Sequence, residues 1–148
     1  MVRQDPVRNF RFRVVIENMP DISFSEVEIG PVSIDVIEYR NGDEATTVRK
    51  LPGLTRYGNV TLRRGVLCSE QTGALELFNW ISSVISGNIA AARRTVTIVV
   101  LGDNGEDCAL FVLKNAWPAK YVPSELEGQG REVFIESLEL VNEGIERK

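Results

Sequence analysis

Apolar residues fall on every second position in one stretch of this chain after another. From Asn9 to Glu17, Phe10, Phe12, Val14 and Ile16 alternate with Arg11, Arg13, Val15 and Glu17. Successive side chains of an extended strand point to opposite faces, so such a segment buries one face and shows the other. The pattern returns in Val32 to Arg40, where Val32, Ile34 and Val36 oppose Asp35, Ile37 and Tyr39. It returns again from Asn59 to Val66, and from Glu132 to Val141 with Phe134, Leu138 and Leu140 on one face. Ile22 to Ile29 is a weaker strand that sets Glu26 and Glu28 on one side; Asn18 to Asp21 and Gly30-Pro31 are breaks. Thr95 to Leu101 and Cys108 to Asn115 flank Gly102-Asp103-Asn104-Gly105, which predicts a hairpin. Trp117-Pro118 is expected to end the second of these strands, because proline donates nothing to a ladder. Ser124 to Gly130 is expected to be a loop.

One segment has a different period. From Thr72 to Ser86, the residues Leu75, Leu77, Phe78, Trp80, Ile81, Val84 and Ile85 recur at helical spacing. Ser69 or Thr72 can cap the start and Gly87-Asn88 supplies a left-handed stop. The apolar arc is broad, so the helix should be covered on more than one side. About seven mostly sequential strands and one helix predict a mainly β fold: an antiparallel β-barrel or sandwich with one packed α-helix. At 148 residues a single domain over 1–148 is expected. No run of 18 apolar residues suggests a membrane-spanning helix. The charged N-terminus lacks the apolar stretch of a secretory signal, so folding in a cytoplasm is expected.

Between the second and third clear strands lies an excursion, Asn41 to Thr55, that runs into VRKLPGLTRYGNVTLRRG (48–65). Val48 to Leu54 is read as holding a Pro-Gly turn between a basic pair and two leucines, and the excursion is expected to protrude as a loop or hairpin over about 41–57. Charge is unevenly spread. Residues 40–64 carry Arg40, Arg49, Lys50, Arg56, Arg63 and Arg64 against Asp43 and Glu44, and residues 1–17 carry Arg3, Arg8, Arg11 and Arg13 against Asp5 and Glu17. The last 25 residues hold seven glutamates against Arg131, Arg147 and Lys148. Such a chain could bind itself, basic surface to acidic surface. Nucleic acid is disfavoured, because the net charge is −4 and alternation turns Phe10 and Phe12 away from Arg11 and Arg13.

Chemistry is hard to find. Histidine is absent, which removes the commonest general base and the usual triad. Cys68 and Cys108 are expected to be buried small apolar residues rather than a disulfide or metal site. Glu26 and Glu28 are expected to form a solvated face, and Glu136 and Glu139, three apart on a strand, must point to opposite sides. Gly102 to Asp107 lacks the spacing and closing glutamate of a calcium loop. Gly128-Gln129-Gly130 follows no strand–helix unit, so it is no dinucleotide fingerprint. Asn59-Val60-Thr61 matches a glycosylation acceptor that means nothing without secretion. No enzyme, cofactor or metal is expected.

RNFRFRV (9–15), IEYR (37–40), VRKLPGLTRYGNVTLRRG (48–65), LFNWI (77–81), KNAWPAKY (114–121) and LELVNEG (138–144), in that order, resemble the phage tail tube protein family. The resemblance is closest to the inner tube proteins of contractile injection systems and contractile phage tails, and covers roughly Phe10 to Ile145. Asn142 departs from it, since relatives often carry histidine before the Glu-Gly pair. The resemblance implies a barrel-like subunit assembling into hexameric rings that stack into a hollow tube. Its implied partners are further copies, sheath, baseplate or spike and tube-terminator proteins, with protein cargo or DNA in the lumen. It implies assembly in a bacterial cytoplasm, within a particle released or anchored later, without stable membrane insertion. The alternatives within the family are a baseplate-proximal tube initiator and a secreted ring-forming carrier; outside it stands a monomeric ligand-binding barrel. The expected subunit interface comprises Arg3, Arg8, Arg40, Arg49, Lys50, Leu51, Pro52, Gly53, Leu54, Arg56 and Tyr57, with Glu136, Glu139 and Glu143 of the acidic segment as receivers.

Overall fold

The computed structural model describes residues 11–40, 42–43, 46–67, 74–123 and 133–148. Arg3, Arg8, Cys68, the cap candidates Ser69 and Thr72, and the loop Ser124 to Gly130 lie outside the described residues. The alternating segments form antiparallel strands in chain order: β1 (Arg11–Ile16), β2 (Ile22–Phe24), β3 (Glu26–Ile29), β4 (Val32–Tyr39), β5 (Arg49–Tyr57) and β6 (Val60–Leu67). Two helices follow, α1 (Ala74–Ile85) and α2 (Ile89–Ala92), then β7 (Arg94–Leu101), β8 (Asp107–Pro123), β9 (Val133–Val141) and β10 (Gly144–Arg147). Gly87, with φ of 87°, ends the first helix in the left-handed conformation that its sequence predicts.

The main sheet runs β2-β1-β7-β8-β9-β6-β3, with β10 also on β8. Its two ends, β2 and β3, are consecutive stretches of one chain. At Ser25 that chain swings from β1 to β6, and the Ser25 amide donates to the Arg63 carbonyl at 3.0 Å. The sheet therefore closes into a barrel. What alternation showed as one weak strand over 22–29 is this bent closing strand. The predicted end at Trp117-Pro118 is corrected too: β8 continues to Pro123. Its first half pairs with β7 and β10, and its second half with β9. Asn115, at φ 50°, marks the bend, and the register shifts between Pro118 and Lys120, so Pro118 sits at an irregularity where a missing donor is tolerated.

Inward-facing residues fill the barrel: Val14 and Ile16, Ile22 and Phe24, Val60 and Leu62, Val96 and Ile98, Leu113, Leu138 and Leu140. Leu77 and Trp80 of α1 join this core, and the Trp80 indole donates to the Ala92 carbonyl at 2.6 Å, tying α1 to α2. The hairpin β4–β5 stands apart, its strands pairing with each other and with no strand of the main sheet.

Candidate functional site

In the β4–β5 arm, residues opposite each other share a face, from Val32 with Tyr57 at the root to Tyr39 with Arg49 near the tip. Val32, Ile34 and Val36, with Thr55 and Pro52 across from the last two, make the apolar root half of one face, and the Glu38–Lys50 pair brings charge to that face only toward the tip. The other face mixes Ile37 and Leu51 with the Tyr39–Arg49 and Ser33–Arg56 pairs. Arg56 Nε donates to both carboxylate oxygens of Asp35, at 3.0 and 3.1 Å. The predicted Pro-Gly turn is instead interior to β5, where the register shifts between Ile34 and Val36 and accommodates Pro52. A Cβ at Gly53 would stand 3.1 Å from the Asp35 carbonyl and from Ile37, so a side chain there requires these neighbours to shift by a few tenths of an ångström. Apolar groups on this arm lie open to water, Val36 at 63 % and Leu54 at 70 % of full exposure. Exposed apolar groups gathered on one ribbon have the chemistry that contact surfaces use.

The arm's root is built on two glycines. The Gly30 amide donates to the Asn59 carbonyl at 3.0 Å and the Gly58 amide to the Pro31 carbonyl at 2.8 Å. A Cβ on Gly30 would stand 2.6 Å from the Asn59 oxygen, and one on Gly58 would stand 2.8 Å from Gly30. No side chain fits this crossing. The Asn142 amide donates to the Gly58 carbonyl at 3.1 Å, so the residue that departs from the family pattern braces the root.

The expected interface residues divide. Arg40, Arg49, Lys50, Leu51, Pro52, Leu54 and Arg56 are exposed on or beside the arm, with Gly53 and Tyr57 half-buried. The acidic receivers are largely engaged by their own chain. Glu139 accepts from the Asn59 amide at 3.1 Å, and Glu143 accepts from the Asn115 amide at 2.9 Å and lies 3.9 Å from Arg93. Glu136 must be removed from the interface: it is 1 % exposed, inside the barrel. Its carboxylate accepts from Arg64 Nε at 2.9 Å and from the Tyr121 hydroxyl at 2.6 Å. The signal was parity, since Glu136 shares a face with Leu138 and Leu140, and Arg64 with Val60 and Leu62. Arg64 also lies over the Phe24 ring, and Phe78 of α1 meets Tyr121 edge-on at 5.9 Å.

Burial, then the bond to Glu136, pushes the Tyr121 phenol up from 10.0 to about 12. The unfolded chain releases this proton near the lower value and the folded chain near the higher one. The resulting stabilisation is whole below pH 10.0 and fades as pH rises toward about 12. Melting temperatures of the parent and Tyr121→Phe should therefore converge across that range; parallel curves would remove Tyr121 from the account.

Nothing here assembles chemistry. Among the described residues no three metal-ligating side chains cluster. Cys108 is exposed, against the expectation of burial, because it sits beside the Gly102–Gly105 turn at the start of β8. An open groove of about 860 Å³ on the wall formed by β3, β6, β8 and β9 is lined by Ser25, Glu26, Thr61, Arg63, Lys120 and Glu139, a mixed-charge set without a nucleophile beside a base.

The family model for the T4-like virus tail tube protein gp19 matches residues 8–146. The chain belongs to that family. No curated protein matches it by sequence. Among solved structures, a chain from the sheath–tube complex of the extracellular contractile injection system PVC, in its extended state, is 25 % identical. The match covers 97 % of this chain and 91 % of that one, with a TM-score of 0.73. A chain from the PVC sheath/tube terminator is 24 % identical over 99 % of each chain, with a TM-score of 0.72. Hcp1 from Flavobacterium johnsoniae, 15 % identical over 93 % of this chain and 94 % of that one, shares the fold at a TM-score of 0.53. As a tail tube protein the chain is a structural, tube-forming subunit of the phage-tail and contractile-injection class, and the barrel with one packed helix is that class's architecture.

Proposed function

We propose that this tail tube protein is the repeated subunit of an inner tube, forming hexameric rings that stack around a lumen through which protein or DNA passes. The carrying observation is the arm: a two-stranded ribbon with exposed apolar residues on both faces, which its own barrel leaves uncovered. A ring of identical subunits closes by a heterologous interface, in which one surface meets a different one on the next copy. An arm exposed in the single chain and buried between copies suits that geometry. The outer edges of the ribbon are unpaired among the described residues, and strand addition from other copies would cover them. Sheath, baseplate and terminator proteins are the remaining partners of such a tube, assembled in a bacterial cytoplasm.

Electron microscopy of the purified protein tests this. Stacked rings or tubes are expected; single rings would favour a carrier, and featureless small particles would defeat the proposal. Arg49 and Lys50 near the arm's tip are exposed. Reversing both to glutamate is expected to shorten tubes severalfold, and raising salt from 0.1 to 1 M should reproduce part of that loss by screening. Tubes of parental length at every salt concentration would confine these charges to solvation.

A further inference from the structure

Helix α1 is apolar around more of its circumference than the barrel covers. Leu77 and Trp80 turn into the core. Leu75 and Ile85 point away, 67 and 78 % exposed; Phe78 meets Tyr121 along one ring edge yet stays 52 % exposed, and Ile89 at the start of α2 adds to the exposed apolar surface at 45 %. At about 100° per residue, Leu75, Phe78 and Ile85 fall on one side of the helix. Glu76 is the single charged residue in α1. A surface helix ordinarily turns charge to water, so an uncharged outer stripe requires a partner.

We propose that this stripe seats the β4–β5 arm of a neighbouring copy, with the Val32, Ile34 and Val36 face of the ribbon laid along Leu75, Phe78 and Ile85. The inference rests on the tube reading and adds the receiving surface that reading leaves unnamed. Size agrees: four steps of strand from Val32 to Val36 span about 13 Å, and ten steps of helix from Leu75 to Ile85 span about 15 Å. Chemistry selects the face. Packing the Val32–Ile34–Val36 row on the stripe leaves the charges of its own face, Glu38 and Lys50, beyond the end of the contact toward the tip, whereas the opposite face would bury the Asp35–Arg56 pair in the middle of it. The pairing is also heterologous, as ring closure demands: arm and stripe are different surfaces, and both are exposed in the single chain. It replaces the acidic C-terminal segment as the main receiver, since Glu136, Glu139 and Glu143 already have partners within their own chain.

The test uses the full chain in a Cys68→Ser/Cys108→Ser background. Ile34→Cys and Phe78→Cys are prepared separately, mixed at assembly concentration and oxidised. A crosslinked dimer is expected from the mixture, at least fivefold above that from Ile37→Cys with Phe78→Cys, because Ile37 lies on the other face. In parallel, Leu75→Asp/Ile85→Asp is expected to lower tube yield at least tenfold with an unchanged far-UV circular dichroism spectrum. Equal crosslinking from the two faces, or parental tube yield from the aspartate variant, overturns the docking while leaving the tube intact; the stripe would then belong to another chain of the particle. If the background protein itself forms no rings or tubes, the tube reading falls and the docking falls with it.

Discussion

Glu136→Ala is expected to destabilise the single chain by about 3–5 kcal/mol, the usual cost of removing one partner of a buried ion pair. For a chain of this size that lowers the melting temperature by about 10 °C or more. The reason lies in what remains. Arg64 is 10 % exposed and held at 2.9 Å by a carboxylate that is 1 % exposed. Take the carboxylate away and a guanidinium stays inside the barrel without its counter-charge, while the Tyr121 hydroxyl loses its acceptor. Arg64→Met/Glu136→Leu removes both charges together, and it should recover most of the loss, since apolar groups of similar volume pack where the pair stood. The comparison is made by thermal melts of the unassembled chain. A single variant no less stable than the double one would show that the pair contributes little. The interaction lies in the barrel interior and not on any outer surface, so Arg64→Met/Glu136→Leu should still polymerise.

The alternating pattern made most of the barrel legible, because one buried face and one wet face leave a period of two in any such strand. The helix was legible for the same reason, at period 3.6, down to the glycine that ends it. What stayed hidden was hidden by residues whose usual meaning tertiary context overrides. Pro52-Gly53 has the composition of a turn, yet a shifted register lets both residues sit inside β5. Pro118 should stop a strand, yet β8, having bent at Asn115 and exchanged β7 for β9 as its partner, runs on through it. Such a corner costs nothing in sequence pattern, so alternation cannot show it. Short α2 and β10 carry too few residues for any period to emerge. Among the residues expected at the interface, most of those on the arm are exposed, but charge alone assigned Glu136 to the surface, although its position in β9 placed it with the core. The outer stripe of α1 was half-legible: a broad apolar arc was evident, but which part the barrel would leave open depended on packing.

The largest effect on assembly is expected from Leu51→Asp/Leu54→Asp. Both leucines are open in the single chain, at 49 and 70 % exposure, so the monomer loses no buried contact and its melting temperature should stay within about 2 °C of the parent, the behaviour of exposed substitutions. Under the proposed tube reading the same positions meet another copy. Burying a leucine side chain is worth about 1.5–3 kcal/mol, and aspartate forfeits that and adds a charge that must stay wet. Two such losses per subunit amount to about 4 kcal/mol, which raises the concentration needed for assembly about a thousandfold. Sedimentation across a dilution series reads that threshold directly, beside melts of the unassembled chain. A variant that melts like the parent but stays dispersed ties these leucines to contacts between copies. Should it instead polymerise at the parental threshold, the leucines touch nothing in the tube, and the exposure of this arm would need a partner other than the protein itself.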